Sequence, residues 1–209
     1  MTTLPAPELA RADRITVRVL GVLAAAITLV TFVGTAVSGI STLASGETRL
    51  QLLTRAEVPN LGTSGGPGIV SAGFDSADVV ATGLSDGTRA LLTAAALADA
   101  ATVAAVGGAI AWFLLMFAAG RHFQGSLFAT TLVAGFALAI GPLLSTGLGG
   151  LGKMQAADEL NPVAHDVFVV GFSVDAFGPA IPLLGFAVLA IAFVFRSGAR
   201  LQRDTEGLV

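Results

Sequence analysis

The sequence predicts an all-α membrane protein, a four-transmembrane-helix bundle with a small extracytoplasmic β element between helices 1 and 2. Three observations lead there. Only 12% of the 209 residues are charged against 54% hydrophobic, and the mean hydropathy is +0.83. A soluble domain ordinarily carries about 25% charged residues, so this chain has too little polar material to cover a surface facing water. Next, the windows 19–46, 100–120, 123–152 and 176–195 contain no Asp, Glu, Lys, Arg or His. Each reaches the roughly 20 residues with which a helix crosses about 30 Å of hydrocarbon. Finally, the basic residues fall mainly on one set of connections.

The first span is expected near 17–40. Arg11, Arg14 and Arg18 form a basic leader. The apolar run behind them outlasts the roughly 7–15 residues at the core of a cleaved signal, so the reading is an uncleaved span. The loop 41–88 follows. Its segments TRLQLLT (48–54) and FDSADVVAT (74–82) are rich in Thr, Val and Leu, partly alternate, and are bounded by Gly, Pro and Ser, which reads as short strands. Such an element is too small for a large core of its own and should lean on the helices. Pro59, Gly62, Gly65, Gly66, Pro67, Gly68 and Gly73 make the uncharged stretch 58–74 punctuation and not a span.

The second span is expected near 90–119. Its helix should begin earlier, because RALLTAAALA (89–98) is strongly helix-forming and Asp86 is a suitable N-cap. The third span is expected near 127–148 and the fourth near 174–195. Pro142 in the third, and Pro179 and Pro182 in the fourth, should kink those helices or occupy their first turns. Small residues four apart (Gly34 and Ser38, Ala104 and Gly108, Gly141 and Ser145) are expected at close helix approaches. The whole of 1–209 is read as one integral membrane domain.

Lysine and arginine stay on the cytoplasmic side of short loops. Arg11, Arg14, Arg18, Arg121, Arg196, Arg200 and Arg203 fall on one side; Arg49, Arg55, Arg89 and Lys153 fall on the other. Seven against four places both termini in the cytoplasm, in the cell membrane, with the loop 41–88 outside.

Chemistry-bearing motifs are sparse. There is no cysteine, which excludes disulfides and thiolate chemistry, and His122 and His165 alone leave little for a metal centre. A net charge of −3 does not form the basic face that nucleic acid requires. Gly147, Gly149 and Gly152 match G-x-G-x-x-G, and with Lys153 they match G-x-x-x-x-G-K. The run is expected to close a transmembrane helix instead of following a strand, and Met154 replaces the Ser or Thr that would hold magnesium, so it reads as a flexible helix end. Asp99 and Asp175 are expected at the outer edges of the second and fourth spans, as a polar membrane-edge site or as structural residues. His165 with Asp166, Asp158 and Glu159 reads as a solvated loop before a weak metal or pH-sensitive cluster.

The tail FVFRSGARLQRDTEGLV (193–209), with SGETRLQL (45–52), GLSDGTRALL (83–92) and MQAADEL (154–160), resembles the bacterial membrane proteins of domain-of-unknown-function family 2975 in their actinobacterial form. The resemblance spans nearly the whole chain and implies a four-span protein with no assigned activity. It also implies a partnership with a small helix-turn-helix regulator, beside which some members are encoded. Members often carry an inner loop resembling R-x-G-x-P-F. Here residues 121–128 read RHFQGSLF, without the proline and with fewer basic groups.

The expected function is non-enzymatic: a regulatory or accessory membrane protein with no cofactor, whose contacts are the lipid bilayer and a cytoplasmic partner. Arg196, Arg200 and Arg203 are the candidate partner or lipid contacts. The alternative is a small transporter or channel using Asp99 and Asp175.

Overall fold

Apolar windows become helices here, and the helices run on past them. The computed structural model describes residues 11–56, 73–119, 125–172 and 180–206. In chain order these form α1 (Arg11–Ala44), β1 (Glu47–Leu53), β2 (Ser76–Thr82), α2 (Asp86–Ala118), α3 (Gly125–Ala164) and α4 (Ala180–Glu206). Three helices contain stretches long and apolar enough to cross a membrane: Asp13–Ala44, Asp86–Ala118 and Phe128–Ala164. The apolar part of α4, Ala180–Val194, rises about 22 Å, less than a bilayer core of about 30 Å. The start of the expected fourth span, 174–179, lies outside the described residues.

The chain divides into two compact units. The first comprises Met1–Thr35, Asp99–Leu143 and Phe177–Val209. Its charged residues and histidine all lie at Arg18 or earlier, at Asp99, at 121–122, or at Arg196 and beyond. The helical stretches between those points are therefore uncharged. Within this unit, glycines set how closely the helices approach. A Cβ added at Gly21 would lie 3.0 Å from Leu115 on α2, and one at Gly107 would run into the Thr28 side chain on α1. At Gly141 it would meet Thr102 of α2, at Gly135 Leu189 of α4 (2.8 Å), and at Gly185 the backbone of Ala139 on α3. The neighbours are thus α1 with α2, α2 with α3, and α3 with α4. Of the expected small-residue pairs, Gly141 does mark an approach, whereas a Cβ at Gly34 or Gly108 would meet nothing within 4 Å. Spacing finds small residues but does not say which way they face.

The second unit, Ala36–Ala98 with Leu144–Ala176, carries the sheet. β1 and β2 pair antiparallel, with Glu47 opposite Thr82 and Leu53 opposite Ser76. Period-two alternation buries Thr48, Leu50 and Leu52 and exposes Glu47, Arg49 and Gln51. Leu50, Leu52, Ala81 and Leu84 form a core with Ala156 of α3, flanked by Val79, Leu92, Leu160 and Phe168. The sheet does lean on a helix, as its small size requires. Gly46 (φ 71°) and Gly83 (φ 75°) make the turns from α1 into β1 and from β2 into α2, in the left-handed region that glycine enters without a Cβ penalty.

α3 overturns the reading of the glycine run. Gly147, Gly149 and Gly152 lie inside this 40-residue helix, which continues to Ala164 well beyond the expected end near 148. Glycine costs a helix about 1 kcal/mol relative to alanine, and packing overrides that preference. A Cβ at Gly152 would lie 2.9 Å from Leu92 on α2, and one at Gly150 would strike the Phe172 ring. The run is helix interior and not a helix end; Gly150 and Gly152 are its close contacts, whereas a Cβ at Gly147 would meet nothing within 4 Å. Beyond α3 the chain turns through His165 (φ 53°) and Asp166 (φ 58°). It then meets the end of β1: Arg55 N–H donates to Val167 O (2.9 Å) and Val169 N–H to Leu53 O (3.0 Å). Asn161 holds this return segment by both ends of its amide, donating to Phe168 O (3.1 Å) and accepting from Phe168 N–H (3.0 Å).

Candidate functional site

The densest polar constellation among the described residues is the first turn of α2. Ser85, and not Asp86, is its N-cap: Thr88 N–H donates to Ser85 Oγ at 3.3 Å, the side-chain-to-backbone bond that satisfies an orphan donor at a helix start. Asp86 is the first helical residue. Its carboxylate is fully exposed, 3.6 Å from Arg89 one turn on.

Glu159 of α3 completes the cap. Its Oε2 accepts Ser85 N–H at 2.8 Å, and its Oε1 accepts the hydroxyls of Ser85 and Thr88 at 2.6 Å each. A hydroxyl has one proton, so these short bonds use both. Thr88 is fully buried, and Gln155 Oε1 lies 3.3 Å from its hydroxyl. Glu159 stands about 10 Å along α3 from Gly152, the last residue of the uncharged window. Desolvation opposes its charge. The hydrogen bonds from the Ser85 side chain, the Thr88 side chain and the Ser85 backbone outweigh that cost and hold the carboxyl below its ordinary value.

Arg89 faces the other way. Its Nε donates to Thr42 O at 3.2 Å and its Nη2 to Leu43 O. These are carbonyls of the last turn of α1, which have no intrahelical partner, and a cation is favoured at that negative helix end. One turn later, buried Thr93 donates its hydroxyl to Gly39 O at 3.0 Å, and a Cβ at Gly39 would lie 2.7 Å from Ala96 Cβ. One helical turn therefore ties α2 to α3 through Ser85 and Thr88, and to α1 through Arg89. Its polar groups are spent on one another, and the arrangement is a mechanical clasp.

The residues singled out from sequence are dispersed. Asp99 is on α2 and exposed. Asp175 lies outside the described residues. Lys153 lies within α3, flanked by packed glycine. His165 and Asp166 are exposed in the turn after α3, while Glu159 is engaged by α2. Among the described residues, no group of three or more His, Cys, Asp or Glu is arranged to hold a metal ion. The tail is helical as far as Glu206, so positions 196, 200 and 203 fall along one stripe of α4. Arg196 is exposed, with its guanidinium carbon 5.4 Å from the centre of the Phe128 ring. That ring meets Phe193 edge-on at 6.2 Å.

Only part of the clasp is legible in the sequence. Ser85 and Thr88 have N-cap and N3 spacing, but their acceptor lies more than 70 residues away. No family model, curated protein or solved structure matches the chain.

Proposed function

We propose that the chain is a non-enzymatic integral membrane protein of four spans with both termini in the cytoplasm. It presents a small outer domain and a charged inner tail to partners, in a regulatory or accessory role. The observation that carries this reading is the surface of the first unit. Ile27 is 66% exposed, Val30 72%, Leu183 67%, Phe186 59% and Val194 68%, a liability in water and a favourable surface in hydrocarbon. The uncharged stretches of that unit, bounded by arginines at residues 11–18, 121 and 196–203, support the orientation. The clasp supports the accessory role, because its groups connect helices and leave no nucleophile or proton carrier poised for a substrate. The resemblance set out above favours a small helix-turn-helix regulator as the cytoplasmic partner.

Reporter fusions after residues 10, 65, 124, 160 and 205 test the topology. The expected readings are inside, outside, inside, outside, inside. A cytoplasmic reading at 65 overturns the assignment. Cross-linking from native membranes with and without residues 204–209 then tests the partner: selective loss of one cytoplasmic protein supports docking by the tail, and unchanged recovery retires it.

A further inference from the structure

The inner end of α4 ends its apolar run on an arginine whose position is already determined. Phe195 is the last residue of the uncharged window and Arg196 the first charge after it. The guanidinium rests over Phe128, at the start of α3, with its carbon 5.4 Å from the ring centre. Phe193, one turn earlier on α4, braces that ring edge-on at 6.2 Å. A cation over an aromatic face is attracted by the ring quadrupole. The guanidinium carries five N–H donors, more than one ring face can occupy, and its fork is the group with which arginine recognises phosphate. Arg196 is exposed, and positions 200 and 203 continue the same stripe of α4, so two further arginines follow at spacings of four and three.

We propose that Arg196, seated on Phe128, binds the phosphate of an anionic phospholipid. The inference rests on the membrane reading above. A lipid is the source of the phosphate because the site opens where an apolar helix leaves its uncharged run. There a lipid can place its tails along Phe193 and Phe186, which are exposed and lie within a quarter turn of Arg196 around α4, while its headgroup reaches Arg196. Each basic residue near an anionic headgroup contributes about 1 kcal/mol, which is roughly a fivefold change in occupancy.

The test uses the full-length protein in nanodiscs of mixed phosphatidylcholine and phosphatidylglycerol, with retained lipids counted by native mass spectrometry. The intact protein should retain phosphatidylglycerol in preference to phosphatidylcholine. Arg196→Gln should reduce that preference about fivefold. Phe128→Leu, which keeps every charge and removes only the ring, should reduce it by a smaller factor. This second variant also decides the matter if Arg196→Gln does not fold. An unchanged preference in the folded variants overturns the proposal. Displacement of the lipid by excess inorganic phosphate overturns it too, by making this a small-anion site. Release of the protein from membranes by alkaline carbonate would instead sink the membrane reading itself. Full retention in the pellet without any phosphatidylglycerol preference sinks only the lipid site.

Discussion

Glu159 of α3 accepts the backbone N–H of Ser85 at 2.8 Å, the bond that the third residue of a helix makes to its own N-cap in an ordinary capping box. In α2 that third residue is Thr88, whose side chain is too short to reach back and instead donates to the same carboxylate. The start of α2 is thus capped by another helix, and its first turn forms in full only when α3 is in place.

Glu159→Gln should therefore destabilise the protein in a pH-dependent way. The native carboxyl titrates below its ordinary value of 4.5, so the bonded carboxylate stabilises the fold fully above that value. The contribution is lost as pH falls through the lower native value. Thermal unfolding in detergent should show a wild-type advantage over Gln at neutral pH that shrinks below about pH 4. A constant gap across that range would mean that the charge is not what Ser85 and Thr88 bind.

Ser85→Ala removes the N-cap oxygen and one donor to Glu159. The expected loss is about 1 kcal/mol, the usual cost of deleting a serine N-cap, whereas Asp86→Ala should change stability by less than about 0.5 kcal/mol. Equal losses from both substitutions would restore Asp86 as the cap.

Arg89→Lys keeps the charge but loses the fork that reaches two carbonyls. The side chain is only 18% exposed, and hydrogen bonds from charged groups are worth about 1.5–3 kcal/mol. Amide exchange at the end of α1, notably at the Ser45 N–H bonded to Ser41 O, should accelerate in this variant. Unaltered exchange would show that α1 closes without Arg89.

Thr48 offers a gain. Its hydroxyl is buried on the inner face of β1 and has no hydrogen-bond partner among the described residues. Thr48→Val should raise stability by about 1 kcal/mol by removing an uncompensated polar group. A loss of stability would reveal a partner for that hydroxyl.

Helix approach is testable at glycines that composition alone cannot distinguish. Gly185→Ala drives a methyl into the Ala139 backbone, which cannot swing aside, and should cost about 1–3 kcal/mol. Gly34→Ala and Gly108→Ala meet open space and should stay within about 0.5 kcal/mol of wild type.

The amino-acid sequence alone determined the mostly helical fold, the three helices long and apolar enough to cross a membrane, and the two strands. Each of these follows from local pattern: uncharged windows, and alternation through Thr48, Leu50 and Leu52. It also contained the arginine stripe, because spacing of four and three is a property of any helix. Tertiary structure decided the rest. Gly147–Gly152 looked like the end of a helix because glycine is a poor helix former. It is helix interior, and at Gly150 and Gly152 Phe172 and Leu92 pack where side chains would otherwise stand. Asp86 looked like the cap from its local context, and Ser85 became the cap because Glu159 approaches it from α3. In the sequence Arg89 is only a basic residue beside an uncharged window, and the carbonyls of Thr42 and Leu43 supply its partners. Hydrophobic period is written in neighbouring residues, whereas a hydrogen bond between helices depends on which faces meet, and only packing sets that.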